Sequence, residues 1–308
     1  MSGSSNILLM KNITESLAGR ALYFEMPPLT CGEIDGVIEP QNFFDLWNGS
    51  ARIKNGETAE APSVIPLMLR GFMPYNVTTD DKSDVTLWMD GYVKTYLERD
   101  LRELSQVDSI IDFRKVMQIL SLRTGNILNQ ADVARDAKIS GSTAYRYIKL
   151  LEISNIINRV PGFYGSKGKR ITKSPKIYFI DPALSIFLSG YLNEESLSRS
   201  RELGGYFETT VFFHLKCLSE MLKPSAGIFY RRTTSGKEVD FILEHGRKLL
   251  AIEVKMTKNP LVKDAANLFD FINEYPETAL GVLLHTGREI KRLGSKVIAV
   301  PWWWIDYA

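Results

Sequence analysis

Apolar positions recur along this chain with two periods, and the switch between them divides it. In FRKVMQILSLRT, residues 113–124, Phe113, Val116, Met117 and Leu120 form one helical stripe. The segment that follows predicts a short helix opened by Asn129 or Gln130, with Val133, Ala134 and Ala137 inward. Ile139 plugs a turn, and Ser140 to Ser142 offer N-cap oxygens to a second helix with Tyr145, Ile148, Leu151 and Ile153 on its buried side. Strand-like runs then take over. Ile156–Val160 and Lys176–Ile180 flank the Gly/Pro-punctuated loop PGFYGSKGKRITKSP. Short helix, tight turn, longer helix and hairpin predict a winged helix-turn-helix, with Lys138 at the turn where glycine is commonest.

Downstream, GGYFETTVFFHLKCLSEML has an amphipathic helical pattern, and EVDFILEHGRKLLAIEVK predicts a hairpin. Asp264 to Glu274 follows as a helix with Ala265, Leu268, Phe269 and Ile272 inward; Leu280–Leu284 and Val297–Val300 are core strands. Upstream, Val93, Leu97, Leu101 and Leu104 give WMDGYVKTYLERDLRELSQV one apolar stripe. The fold class expected is mixed α/β, in three parts: residues 1–105, 106–182 and 183–308.

Charge changes this picture more than composition does. The formal net charge is only +2, yet residues 113–180 hold 13 lysines and arginines against the acids Asp132, Asp136 and Glu152. That segment is therefore +10 and the remainder −8, so their partners should differ. On the second helix Ser142, Thr143, Arg146 and Lys149 face outward, suited to phosphates and base edges, and Lys167, Lys169, Arg170 and Lys173 crowd the loop. DNA is the partner this pattern favours; a protein-docking module with a solvated basic loop is the alternative.

Two lone cysteines, Cys31 and Cys217, with His214, His245 and His285 at unrelated spacings, suggest neither a disulfide framework nor a zinc cluster. The histidines are expected to pack or lie at the surface, Cys217 to face the buried side of its helix, and the compartment to be a reducing cytoplasm. No run of about 18 apolar residues predicts a membrane span, and the N-terminus lacks the marks of a signal peptide.

The hairpin carries the candidate chemistry. A turn at Gly246-Arg247 sets His245 opposite Lys248 and Asp240 opposite Glu253, with Cβ atoms about 4.5–5.5 Å apart. Lys255 then shares the face of Glu253 and opposes Glu238, while Lys237 and Arg231-Arg232 add positive charge nearby. Carboxylates this close repel unless a cation intervenes, and they suit Mg²⁺. The Lys255 ammonium can orient or deprotonate an attacking water, or stabilise phosphorane-like charge. The plain alternative is a solvated acidic pair offset by Lys255. GFYGSKGKR is not a phosphate loop, because its glycines are one residue too far apart for a Walker A motif and Arg170 replaces the magnesium-binding hydroxyl.

An Asp, about a dozen residues, then Glu-x-Lys on the next strand resembles the core of PD-(D/E)XK nucleases. In that resemblance Glu208 matches the first-helix glutamate, which implies Glu208, Asp240 and Glu253 as metal ligands and Lys255 as the catalytic lysine. In order, GSSNILLM…ESLAGRA, RGFMP, YVKTYLERDLREL, SPKIYFIDPAL and FETTVFFHL…EVDFIL…IEVK resemble the C-terminal two-thirds of prokaryotic AAA-type ATPases that end in a conserved domain of unknown function. The resemblance makes residues 1–105 a remnant of the ATPase domain, Gly3 to Asn6 its sensor-like segment and Arg20 a nucleotide- or subunit-facing arginine. Walker A and B are missing, so ATP binding and hydrolysis are not expected of this chain as written. The expected functions are DNA binding first, then a regulatory module acting with an ATPase partner chain or as a homo-oligomer, then a Mg²⁺-dependent phosphodiesterase. Trp302-Trp303-Trp304 either closes a core or forms a docking patch.

Overall fold

The computed structural model describes residues 25–49, 53–58, 62–79, 81–95, 107–165, 168, 170 and 173–308. Leu97, Leu101, Leu104, Lys167, Lys169, Gly3 to Asn6 and Arg20 lie outside these. The first part carries α1 (Cys31–Ile34), α2 (Gln41–Trp47), the short strand β1 (Gly56–Glu57), α3 (Val64–Arg70), α4 (Pro74–Thr78) and α5 (Lys82–Tyr92). Next come α6 (Ile110–Ser121), α7 (Gln130–Ala137), α8 (Gly141–Ile153), and the antiparallel pair β2 (Ile157–Val160) and β3 (Lys176–Phe179).

The helix, turn, helix and hairpin order expected from the pattern is present. Asn129 caps α7 by accepting from the Ala131 and Asp132 N–H groups, and Ser140 caps α8 by accepting from Thr143 N–H. Lys138 takes the left-handed conformation at the end of α7, φ 57° and ψ 43°, a geometry glycine adopts more cheaply. One expectation fails. Tyr145 is 53% and Ile153 41% exposed, while Ala144, Tyr147, Ile148, Leu150 and Leu151 form the buried face of α8. The buried stripe is thus turned one position from the one expected. Tyr147, its ring 5.3 Å edge-on from Phe113, takes the inward place.

The last part contains α9 (Pro182–Leu188), α10 (Glu194–Ser198), α11 (Leu203–Glu220), β4 (Gly227–Arg232), β5 (Glu238–His245), β6 (Lys248–Lys255), α12 (Ala266–Glu274), β7 (Thr278–His285), β8 (Glu289–Gly294) and β9 (Val297–Pro301). With β1 the strands form a seven-stranded sheet, order β1-β8-β9-β7-β6-β5-β4, antiparallel except where β7 pairs with β6 and β9. The fold is mixed α/β. Phe241, Leu243, Leu250 and Ile252 face α11, whereas Val239, Ile242, Leu249 and Ala251 belong to the core under α12.

The first part is no separate body. Phe43, Trp47, Met68 and Phe72 are buried in the same core as Phe207, Phe213 and Trp302, and β1 pairs with β8. A boundary near residue 105 therefore divides the sequence but not this core. Trp302 and Trp303 are buried, so the tryptophan cluster closes the core. Among the described residues no helix is long and apolar enough to cross a membrane.

The middle part is held hard against α11. Gly205 brings that helix so close that a Cβ there would sit 2.7 Å from the Thr124 carbonyl oxygen, and the Thr124 and Thr209 hydroxyls share a 2.7 Å hydrogen bond. The loop after β2 also docks on the sheet. Tyr230 N–H donates to Pro161 O, Phe163 N–H donates to Tyr230 O, and Gly162 forms a parallel bridge with Tyr230. The loop thereby covers the free edge of β4, which would otherwise offer unpaired backbone groups.

Candidate functional site: a buried carboxylate cluster with a lysine at its centre

The hairpin forms with the expected register, His245 opposite Lys248 through Phe241 opposite Ile252, and Gly246 turns at φ 64°. There the ladder stops. A one-residue shift between β4 and β5 places a bulge around Asp240, and the Asp240 carboxylate accepts the Val254 N–H at 2.8 Å. Asp240 is therefore not a ladder partner of Glu253; its carboxylate fills the mouth between the diverging strands. Glu253 is 2% exposed, which removes the solvated-pair alternative. Its Oε1 accepts from Lys255 Nζ at 2.6 Å and its Oε2 has no partner. Lys255 thus turns to its own neighbour two residues back, not to Glu238 across the hairpin.

The cation in the cluster comes from β3. Lys176 Nζ lies 2.8 Å from Glu208 Oε1 and 3.9 Å from Asp240 Oδ1, and it also pairs with Glu238. Tyr178, two residues on, donates to Glu208 Oε1 at 2.5 Å. Lys176 is 3% exposed, so its ammonium has exchanged water for carboxylates. Burial works against that charge, but Glu208, Asp240 and Glu238 outweigh it and raise the lysine's pKa. Burial, with Asp240 adding to it, pushes Glu208 up to about 7 and Glu253 up to about 8; burial also raises Asp240. For Mg²⁺ the donor set is chemically apt, yet the position touching Glu208 and Asp240 is filled by an ammonium. Glu208, Asp240 and Glu253 also do not converge within the 4.8 Å that groups Cys31, His214 and Asp306, the trio of this kind among the described residues. As arranged, the cluster is a buried ion network, and no step through a metal is derived for it. Lys176 and Tyr178 escaped the sequence reading as site residues, and Glu238 entered it only as the residue opposite Lys255; the available signal was a lysine opening an otherwise apolar strand, KIYFI.

The predicted nucleic-acid residues fare unequally. Ser142, Arg146 and Lys149 are exposed on α8 and Thr143 is half-buried beside them. Arg146 pairs with Asp108 and Lys149 with Glu152, both at the surface. Lys173 is exposed. Arg170 is otherwise engaged: it donates to Glu244 and the Tyr164 carbonyl, with its guanidinium 4.4 Å from the Phe163 ring centre and 4.8 Å from that of Phe229. It secures the loop to the sheet and does not reach outward. Arg231, Arg232 and Lys237 are likewise paired, with Glu274, Glu238 and Asp270.

Residues 203–305 match a family described as Domain of unknown function (DUF4143), and residues 62–195 match another, Domain of unknown function (DUF8612). The chain is 28% identical over 301 residues to an uncharacterized protein of Mycobacterium tuberculosis and to one of Mycobacterium bovis, covering 97% of this chain and 60% of each relative. An uncharacterized protein of Methanocaldococcus jannaschii is 26% identical over 249 residues, 79% of this chain and 52% of that protein. The chain thus spans little more than half the length of the relatives it matches.

Proposed function

We propose that this chain binds DNA through α8, with the helix-turn-helix and hairpin acting as a winged helix. The observation that carries the reading is the outward face of α8. Tyr145, 53% exposed, stands among Ser142, Arg146 and Lys149, in a segment with 13 basic residues against three acids. The surface pairs of Arg146 and Lys149 are exchangeable for phosphates at little cost. An exposed tyrosine on the same face gives bases or sugars a stacking surface.

In this reading the α/β part is a PD-(D/E)XK-like fold retained as a scaffold. Lys176 neutralises the carboxylates that a nuclease would use to hold metal, and β3 ties the DNA-reading part to them. The likeness to AAA-type ATPases suggests that the chain works beside an ATPase segment or partner.

The test is fluorescence anisotropy with duplex DNA. Affinity should fall about tenfold to hundredfold between 50 and 200 mM salt, as expected for two to four neutralised phosphates. Joint substitution R146A/K149A should weaken binding and flatten the log–log salt slope by about 0.9 for each phosphate no longer neutralised, while R170A leaves that slope alone. Unchanged binding in R146A/K149A refutes the assignment of α8. The same protein with Mg²⁺ or Mn²⁺ should leave supercoiled DNA intact. Nicking abolished by D240A would mean that Lys176 yields its place to a metal and that the scaffold reading is wrong.

A further inference from the structure

On the same helix as Glu208, but apart from the carboxylate cluster, three elements remote in sequence bring unlike donor groups together. Cys31 opens α1, His214 lies in α11, and Asp306 lies in the turn after β9; all three are buried, and one ligand atom from each falls within 4.8 Å of the others. His214 Nδ1 is 2.8 Å from the Thr210 carbonyl oxygen, so Nδ1 carries the proton and Nε2 presents its lone pair. Nε2 accepts the Cys31 backbone N–H at 3.2 Å, and Asp306 Oδ2 stands 3.3 Å from the same nitrogen. Two acceptors therefore face each other. Neither Asp306 oxygen has a hydrogen-bond partner of ordinary geometry, although the carboxylate is 2% exposed. The Gly32 and Cys31 N–H groups lie beside it and satisfy it only in part. Unsatisfied buried carboxylate oxygens are costly, and aimed at an imidazole lone pair they call for a positive species between them.

We propose that Cys31 Sγ, His214 Nε2 and Asp306 bind a borderline divalent transition metal of the Zn²⁺ class in a buried site of three protein donors. The donor set is one thiolate, one imidazole and one carboxylate, which favours such ions over the hard Mg²⁺ or Ca²⁺. Two ligands about 2.0–2.1 Å from a tetrahedral ion stand about 3.3–3.4 Å apart, and the observed imidazole–carboxylate separation is 3.3 Å. One Asp306 oxygen can fill a position on the ion while the other stays beside the Gly32 and Cys31 N–H groups. A thiolate and a carboxylate cancel the two charges of the ion, leaving a neutral buried unit. The close approach is built into the backbone: at Gly32 any Cβ would overlap the Asp306 carbonyl oxygen. The Thr210 carbonyl orients the imidazole in the way second-layer partners of metal-bound histidines do. The ion replaces the Cys31 N–H as the partner of Nε2 and fastens α1, α11 and the end of the described chain to one another.

The experiment uses Co²⁺ alone as the probe. The full chain is unfolded in denaturant with chelator, freed of metal, and refolded with one equivalent of Co²⁺. The expected result is a thiolate-to-cobalt charge-transfer band with visible bands of tetrahedral intensity, one Co²⁺ per chain, displacement by Zn²⁺, and a rise in Tm. C31S should lose the charge-transfer band, and D306N should keep it while raising the cobalt dissociation constant by more than the roughly tenfold that loss of a partner behind the ligands costs. If C31S does not refold, the wild-type spectrum with D306N still decides. Absence of a thiolate band in refolded wild type would overturn the proposal, leaving a proton shared between Asp306 and His214. A band that survives in C31S would overturn it too, by assigning the thiolate to Cys217. Neither result bears on DNA binding by α8.

Discussion

At the scale of single residues, the carboxylate cluster makes stability depend on pH in a direction that can be worked out. Burial holds Glu208 at about 7 and Glu253 at about 8, against an ordinary 4.5. Between those values the folded chain keeps protons that the unfolded chain has released, so stability falls as pH rises through the interval. His214 and His285, lowered by burial from 6.5 to about 4, oppose this, but only below about 6.5, where the unfolded chain binds protons they decline. From pH 6.5 to about 8 these histidines no longer oppose the carboxylates. Tm should therefore decline over that range, and Glu253→Gln, which cannot ionise, should flatten the decline. A Tm that holds or rises from pH 6.5 to 8 in the wild type would show that Glu253 is already ionised, with some other cation beside its unpartnered Oε2.

At the scale of elements, what the sequence revealed was what a local pattern can carry. The turn at Gly246, the pairing of Phe241 with Ile252, the Asn129 and Ser140 caps and the inward Val133, Ala134 and Ala137 all depend on neighbours within about a turn or a hairpin. What stayed hidden depends on distant chain. The ladder stops at Asp240 because β5 bulges against β4 and its carboxylate captures the Val254 N–H, an event no period-two pattern encodes. Arg170 reads as a wing cation until it is seen packed on the Phe163 and Phe229 rings and paired with Glu244. Cys31, His214 and Asp306 share no spacing at all, since 183 residues separate the first two. Lys176 is the most instructive case. Alone it is one more charge in a basic segment, yet its ammonium is the counter-ion of a cluster drawn from α11 and β5. The same residue that raises the local charge count is unavailable to DNA.

At the scale of the molecule, the chain is bound together across the divisions its sequence suggests. Phe72 packs against Phe213 with ring centres 5.4 Å apart and against His214 at 4.9 Å, and Tyr178 of β3 stacks on Phe212 at 4.5 Å. Phe43, Leu46, Trp47 and Met68 complete the same core, and the Phe72 N–H donates to the buried Asp181 carboxylate at 2.8 Å. Removing everything before residue 183 would strip these groups from α11 and expose its apolar face. Losing one large core side chain costs about 2–5 kcal/mol, whereas a whole domain is stable by about 5–15 kcal/mol. Five or six such losses together exceed what the sheet and α12 can hold. A fragment of residues 183–308 is therefore expected to show no cooperative thermal transition, to lose its near-ultraviolet circular dichroism and to bind a hydrophobic dye. The whole chain should melt sharply. If the short fragment melted cooperatively near the Tm of the longer chain, the α/β part would be an independent domain, and the packing of Phe72 and Tyr178 on α11 would be a docking surface, not a shared core.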